Sequence, residues 1–318
     1  MYAYEISRPG APAVLRQVAL PHPGPGQVLL AINACGLNFA DNLMQNETYQ
    51  DIPATPFTLG MELAGIVTGL GDSDCRFRIG DRVAVFAGHG GLAEQGVFDA
   101  ARVLPLPDAM SFEHAAGFQI AYATSHMALS HCARLQPGET LLVTGAAGGV
   151  GLTAVEIGKL MGARVIAMAR GADKLAVAKA AGADFLIDAD EDLRARVLEL
   201  GGADVVYDAV GGDVFKAAFR ACRPEGRLLC IGFASGEVPQ IPANHLLVKN
   251  LSVHGFYIGG YLKFRPELVD ASLKTLIGWY RAGKLHPHIS HVLPLARVGE
   301  GMEMLRDRKA TGKIVITM

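Results

Sequence analysis

The chain has 318 residues, 50% of them apolar and 19% charged, with 29 Lys plus Arg against 31 Asp plus Glu for a formal net charge of −2. At roughly 150 residues per domain this length predicts two domains, each able to bury a core without disulfide or metal staples, and the composition excludes a largely disordered chain. No basic run marks a nucleic-acid surface, no apolar run approaches the roughly 18 residues of a membrane span, and the opening MYAYEISRPGAPAVLRQ lacks the pattern of a secretory signal, so the cytoplasm is the expected compartment.

Residues 1 to about 115 are rich in Pro, Gly and short alternating runs such as QVLLAINACGL, ELAGIVTGLG and IGDRVAVF, which predict an antiparallel, barrel-like β domain. From residue 140 the pattern changes to apolar runs joined by helical stretches. Six strands are expected, in TLLVTG, ARVIAMA, DFLID, ADVVYDAV, GRLLCIGF and NLSVHGF. Such alternation requires a parallel sheet covered on both faces, so the predicted class is α/β with a doubly wound sheet. After residue 257, PELVDASLKTLIGWYRAGKL reads as a helix and GKIVITM as a last strand. This tail is too small to stand alone and is expected to dock on the first domain, giving 1–120 with 258–318 as one domain and 121–257 as the other. Cysteines 35, 75, 132, 222 and 230 form no CxxC pair and read as small buried hydrophobes.

Between the first of the six strands and its helix lies VTGAAGGVG, residues 143 to 151. Gly145, Gly148 and Gly151, with Gly149 and Val150 between the last two, permit a tight turn, close approach of backbone N–H groups to a pyrophosphate and tight helix–strand packing, with the helix N-terminus facing the anion. A phosphate-transfer loop would need Lys-Ser/Thr after its last glycine, where this chain has Leu152-Thr153. An acid that would bond the 2′-OH of NAD is expected about twenty residues on, at the end of the second strand. That strand ends Met168-Ala169-Arg170, with Lys174 one turn later, so NADP is favoured. The alternative is that Arg170 and Lys174 are an ordinary solvated helix start.

Taken together these residues resemble the medium-chain dehydrogenase/reductase superfamily, and within it the zinc-free quinone oxidoreductases related to zeta-crystallin. The resemblance runs nearly end to end and is carried by Gly138-Glu139, Leu142, Ala146 to Gly149, Gly151 and Lys159, with GLNFADNL (36–43), LGMELAGIV (59–67), GDRVAVF (80–86) and GKIVI. Glu156 stands where relatives usually have Gln. The resemblance implies a six-stranded Rossmann domain plus a GroES-like β-rich catalytic domain, with NADPH and a substrate held in the cleft between them, and a homodimer formed at the edge strand near NLSVHGF. Zinc alcohol dehydrogenases of this fold hold zinc with Cys, His and Cys, and the motifs align Asn38, Met61 and Ile120 with those ligands, so metal independence is expected.

Carried over residue by residue, the resemblance implies that Asn38 reaches the nicotinamide ribose or the acceptor oxygen, and that Tyr49 lines the acceptor pocket and donates a proton or hydrogen bond. Asp41 belongs to the same candidate catalytic group, with bracing of the loop as the favoured role. Thr124 is placed near the nicotinamide, Phe233 and Phe256-Tyr257 against its carboxamide, and Lys313 near the pyrophosphate. Leu43 replaces a tyrosine beside the nicotinamide, and Asp188-Ala189 a tyrosine near the adenosine phosphate, which weighs against NADP. Asp208, ending the fourth strand, is expected to position a loop, and His286, His288 and His291 to be solvated or packed rather than metal-bound. The aromatic run from Phe256 to Phe264 lines an acceptor pocket or forms a seam.

The expected activity is a zinc-independent, NADPH-dependent transfer of hydride to a quinone or other α,β-unsaturated carbonyl. Two alternatives stand beside it: an enoyl-thioester reductase, and a low-turnover NADPH-binding structural or regulatory protein.

Overall fold

Residues 1–318 are all described in a computed structural model, in which the chain forms two units, 1–120 with 287–318 and 121–286. In chain order unit 1 opens with β1 (Tyr2–Ile6), β2 (Val14–Gln17), β3 (Gln27–Gly36), α1 (Phe39–Gln45), β4 (Phe57–Thr58), β5 (Glu62–Leu70), β6 (Arg82–Phe86), β7 (Gln95–Asp99), β8 (Val103–Pro105) and α2 (Phe112–Ala116). The chain passes along α3 (Gln119–Met127) into unit 2, which comprises β9 (Thr140–Thr144), α4 (Gly149–Leu160), β10 (Arg164–Ala169), α5 (Ala172–Ala180), β11 (Phe185–Asp188), α6 (Leu193–Glu199) and β12 (Ala203–Asp208). It continues through α7 (Gly212–Arg220), β13 (Cys222–Cys230), α8 (Ala243–Lys249), β14 (Ser252–Gly255), α9 (Ile258–Phe264) and α10 (Pro266–Arg281), before β15 (Ile289–Pro294), α11 (Val298–Arg306) and β16 (Lys313–Thr317) return to unit 1.

Unit 1 is built on the period-two alternation of β3, where Val28, Leu30, Ile32 and Ala34 are buried while Gln27, Leu29, Ala31 and Asn33 keep exposed surface. Its main sheet has the order β15-β16-β3-β5-β6-β8, with β7 also pairing β3, and a smaller sheet has the order β2-β1-β4. Every pair is antiparallel except β15 with β16. The antiparallel expectation therefore holds for the strands read upstream, and the parallel pair arises because α11 connects its two strands as a crossover.

Unit 2 contains the six expected strands in the order β11-β10-β9-β12-β13-β14, all parallel. All five residues of β9, Thr-Leu-Leu-Val-Thr, are buried, as a strand covered on both faces must be. One layer of the core gathers Leu142, Ile166, Val206 and Leu228 from four strands with Phe215 and Phe219 of α7. Successive strands run outward from β9 on one side and from β12 on the other, so the sheet reverses its winding between these two, the place where an open α/β sheet binds ligands.

The second crossing between units falls at 286/287 rather than 257/258, which corrects the domain boundary expected from the sequence. Helix α10 buries Val269, Leu273, Leu276 and Ile277, and it joins unit 2 through Ser272, whose hydroxyl lies 2.8 Å from His126 Nδ1, and Trp279, edge-on to the same imidazole at 5.3 Å. Tyr261 of α9 meets Cys132 and the His131 ring in the same way. An amphipathic pattern reveals that α10 hides a face but not which unit receives it.

Candidate functional site

In unit 2 the strand-to-helix loop has the geometry of an anion cradle. Gly145 adopts φ 63°, and a Cβ at Gly151 would lie 2.2 Å from the Gly145 carbonyl oxygen, so only glycine lets α4 start this close to β9. Gly148 is the N-cap of α4 and is exposed, with Gly149 and Val150 half-buried beside it. The first-turn N–H groups of a helix have no intrahelical partner and face outward with the positive end of the helix dipole.

The first turn of α4 is held from below by three hydroxyls that the sequence did not single out. Ser125 Oγ donates to the Val150 carbonyl at 2.9 Å and lies 2.8 Å from Thr153 Oγ1 and 3.0 Å from the Tyr207 hydroxyl. Thr153 Oγ1 also lies 3.0 Å from the Val150 carbonyl and 3.1 Å from that of Ala121. Ser125 and Tyr207 are fully buried, and burial pushes the Tyr207 phenol above its ordinary value, keeping it protonated as a donor. At the same switch point Asp208 accepts from the Thr144 hydroxyl and from the backbone N–H groups of Val210 (3.3 Å) and Gly211 (2.9 Å). Its carboxyl is raised by burial and pulled back by those donors, and it has no exposed surface. Asp208 thus positions the loop after β12, as expected.

At the end of β10, Arg170 is exposed and Lys174 half-buried on the first turn of α5. The neighbouring Asp188, paired in register with Ala169, directs its two oxygens to the N–H groups of Gly171 (3.0 Å) and Asp190 (3.2 Å). The carboxylate therefore serves as a bracket for the turn that carries Arg170. Of the residues expected at the nicotinamide, Thr124 is buried on α3, Phe233 is 41% exposed beyond β13, and Phe256 is buried with its ring stacked on Tyr261 at 5.3 Å. Tyr257 is the N-cap of α9.

Unit 1 brings Asn38, Asp41, Met61 and Ile120 together around a residue the sequence reading passed over, Glu62. This carboxylate is fully buried. Its Oε1 accepts from Lys313 Nζ at 2.8 Å and Asn38 Nδ2 at 3.1 Å, and its Oε2 from the Ile120 N–H at 2.9 Å. Lys313, 6% exposed, also donates to the Leu37 carbonyl and to Asn38 Oδ1, both at 2.7 Å. An ammonium has three protons, and all three are engaged inside unit 1. The expected approach of Lys313 to a pyrophosphate is corrected accordingly. The signal for Glu62 was its lone charge inside LGMELAGIV, but its partner is 251 positions away.

Asn38 occupies the N-cap of α1, and Asp41, three residues on, returns Oδ2 to the Asn38 N–H at 2.8 Å while Oδ1 accepts from Gly60 N at 3.1 Å. Asp41 has no exposed surface, so it braces the loop, and its place in the candidate catalytic group becomes a structural one. Tyr49 is half-buried in the segment after α1. The three histidines are dispersed among local partners: the His286 N–H donates to Glu156 Oε1, while the rings of His288 and His291 meet Thr311 Oγ1 and Ser290 Oγ. A groove of about 660 Å3 on unit 1, lined by Phe57, His89, Phe98 and Arg102 among others, includes none of the expected site residues.

Residues 149–274 match the zinc-binding dehydrogenase family and residues 24–108 the alcohol dehydrogenase GroES-like domain. The chain is 42% identical over 300 residues to the quinone oxidoreductase-like protein 2 homolog of Nematostella vectensis, covering 92% of this chain and 82% of that protein. The quinone oxidoreductase of Thermus thermophilus, solved also as its complex with NADPH, is 34% identical, with a TM-score of 0.87 and full coverage of both chains. The Escherichia coli quinone oxidoreductase complexed with NADPH is 27% identical, with a TM-score of 0.92 over the whole of both chains. The zinc named by the first family does not suit the residues found here. A carboxamide, a thioether and a hydrocarbon stand at the aligned ligand positions, and the cation beside them is the Lys313 ammonium.

Proposed function

The chain belongs to the quinone oxidoreductase-like family of the medium-chain dehydrogenase/reductase superfamily, and on that footing we propose that it is an NADPH-dependent oxidoreductase that delivers hydride to a quinone or another α,β-unsaturated carbonyl without a metal. The observation that carries the reading is the glycine loop between β9 and α4, at the switch point of the six-stranded sheet, with its first turn held by Ser125, Thr153 and Tyr207. Arg170 at the end of β10, with Lys174 behind it, supplies cations for a 2′-phosphate. Two relatives solved with NADPH support the same cofactor.

When bound, the dihydronicotinamide supplies a hydride from its C4, and a conjugated carbonyl accepts it without Lewis-acid help because its acceptor orbital is already low. The chain's part is alignment and stabilisation of the developing oxyanion. The Tyr49 phenol would serve the acceptor oxygen with a hydrogen bond or a proton. Thr124, Tyr257, Phe233 and Phe256 would hold the nicotinamide side of the cofactor. Asp41 holds the segment that carries Asn38.

Stopped-flow absorbance of NADPH mixed with a small quinone, an enone and an enoyl thioester tests this reading. Rapid oxidation with the quinone or enone is expected, and loss of signal with none of the three would remove the enzymatic proposal. Activity is expected to survive exhaustive chelation; activity lost to chelator and restored by zinc would reverse the metal-free assignment. The unpaired edge of β14, together with the exposed Leu247 and Val248 of α8, supports a homodimer, which light scattering measures directly.

A further inference from the structure

We infer that Lys313 and Glu62 together act as positioning residues that set the Asn38 carboxamide as a hydrogen-bond acceptor, so that the group Asn38 meets on a bound ligand is a hydroxyl. The inference rests on the NADPH reading above, in which the ribose next to the nicotinamide supplies that hydroxyl.

The two faces of an Asn amide differ only in which atom is oxygen and which is nitrogen, and here charge decides between them. Asn38 Oδ1 lies 2.7 Å from the Lys313 ammonium, and Nδ2 lies 3.1 Å from a Glu62 oxygen. A half-turn of the amide would set its NH2 against the ammonium and its oxygen against the carboxylate, turning two attractions into two repulsions. The orientation is therefore fixed while both charges are present.

Counting protons then defines what Asn38 can offer. Its Nδ2 has two, and they go to Glu62 Oε1 and to the Gly36 carbonyl at 3.2 Å. Its Oδ1 has two lone pairs, of which Lys313 takes one. The Asp41 N–H of the capping box donates to the Asn38 backbone carbonyl at 3.0 Å, so one acceptor site remains on Oδ1, on the only member of the trio with appreciable exposed surface. Asn38 has no proton left for a carbonyl or an oxyanion, which separates the two roles the resemblance held open. Lys313 has no free proton and Glu62 no exposed surface, so both act through Asn38 rather than by touching the ligand.

The full-length protein is titrated by fluorescence with NADPH and with an NADPH analogue deoxygenated on the nicotinamide ribose. The wild type is expected to bind NADPH at least ten-fold more tightly than the analogue, on the order of one charge-reinforced hydrogen bond. Removing one charge alone leaves the other buried and unpaired, so the informative variant is the neutral pair Glu62→Gln with Lys313→Met, its folding checked by circular dichroism and melting. In that variant the ten-fold preference is expected to collapse to within about two-fold, with KM for NADPH raised more than kcat is lowered, whereas Lys313→Arg keeps the preference. A folded neutral pair that retained the full preference would overturn the positioning role. If that variant does not fold, the wild type alone still decides: equal binding of NADPH and the analogue would overturn the acceptor assignment. Wild-type protein that binds neither nucleotide would instead refute the cofactor reading itself.

Discussion

Asp41 accepts the backbone N–H of Gly60 at 3.1 Å, and burial of that carboxylate pushes its pKa up to about 6, against the lowering effect of the Asn38 and Gly60 N–H groups and of Lys313. An unfolded Asp titrates near 3.9, so the ionised form is disfavoured by folding. The penalty is absent below about pH 4, grows as pH rises and is complete above about pH 6. A shift of about two units corresponds to roughly 3 kcal/mol when fully expressed. Asp41→Asn removes the titration while keeping one acceptor oxygen. Relative to the wild type, the variant is expected to gain on the order of 2 kcal/mol as pH rises from about 4.5 to about 7, read from denaturation at several pH values. A difference that does not change with pH would show that the carboxyl titrates normally.

The glycine loop separates packing from ligand approach. A Cβ at Gly151 would stand 2.2 Å from the Gly145 oxygen, whereas one at Gly148 would meet that oxygen at 3.4 Å, an ordinary contact. Gly151→Ala is therefore expected to lower stability by about 1–3 kcal/mol through overpacking. Gly148→Ala should melt like the wild type yet bind NADPH roughly ten-fold more weakly, because its methyl group lies where phosphate approaches the helix N-terminus. Equal melting points for both variants would contradict this assignment.

Arg170 should decide between phosphorylated and unphosphorylated cofactor. Its replacement by alanine removes a charge-assisted bond worth about 1.5–3 kcal/mol, so the ratio of kcat/KM for NADPH over NADH is expected to fall roughly 10- to 100-fold. The change should lie in the NADPH term. An unaltered ratio would return Arg170 to a solvated helix start.

The placement of α9 and α10 in unit 2 predicts where an independent fragment ends. Residues 121–286 expressed alone should melt cooperatively, because Ser272 and Trp279 remain available to His126. A fragment ending at 257 loses the buried face of α10 and with it Val269, Leu273 and Leu276, and is expected to be insoluble or molten by near-UV circular dichroism. Comparable melting of the two fragments would favour the boundary at 257.

Tyr207→Phe probes the hydroxyl cluster beneath α4. Losing a buried bond to Ser125, 3.0 Å away, should cost about 1 kcal/mol in stability. NADPH affinity should weaken by a few-fold at most, since Thr153 still engages the Val150 carbonyl. A loss of binding without a loss of stability would place Tyr207 at the ligand itself.

Much of the molecule was legible in local order along the chain. The six strands of unit 2 could be read because each is a short apolar run ended by turn residues, and the nucleotide loop because glycine at 145 and 151 is a steric requirement and Gly148 stands between them at the helix start, all in nearby positions. Asp208 could be read as a loop brace because it closes a strand at the rim of the sheet. These features depend on neighbours within a few residues or on a period, and both survive in a one-dimensional string.

Tertiary structure settled whatever depends on distant partners. Lys313 carries the same letter whether it reaches a phosphate or a carboxylate, and only the pairing of β16 with β3 brings its ammonium to Glu62 and Asn38. Likewise α10 shows an apolar face in its sequence, but the choice of unit was made by His126, far upstream in the chain. The physical reason is common to both cases: a buried polar or apolar face states that it needs a partner, and the fold alone determines which partner arrives. Residue order was enough to specify a parallel nucleotide-binding sheet and a β-rich companion; the folded chain organised the candidate site around a buried ion pair.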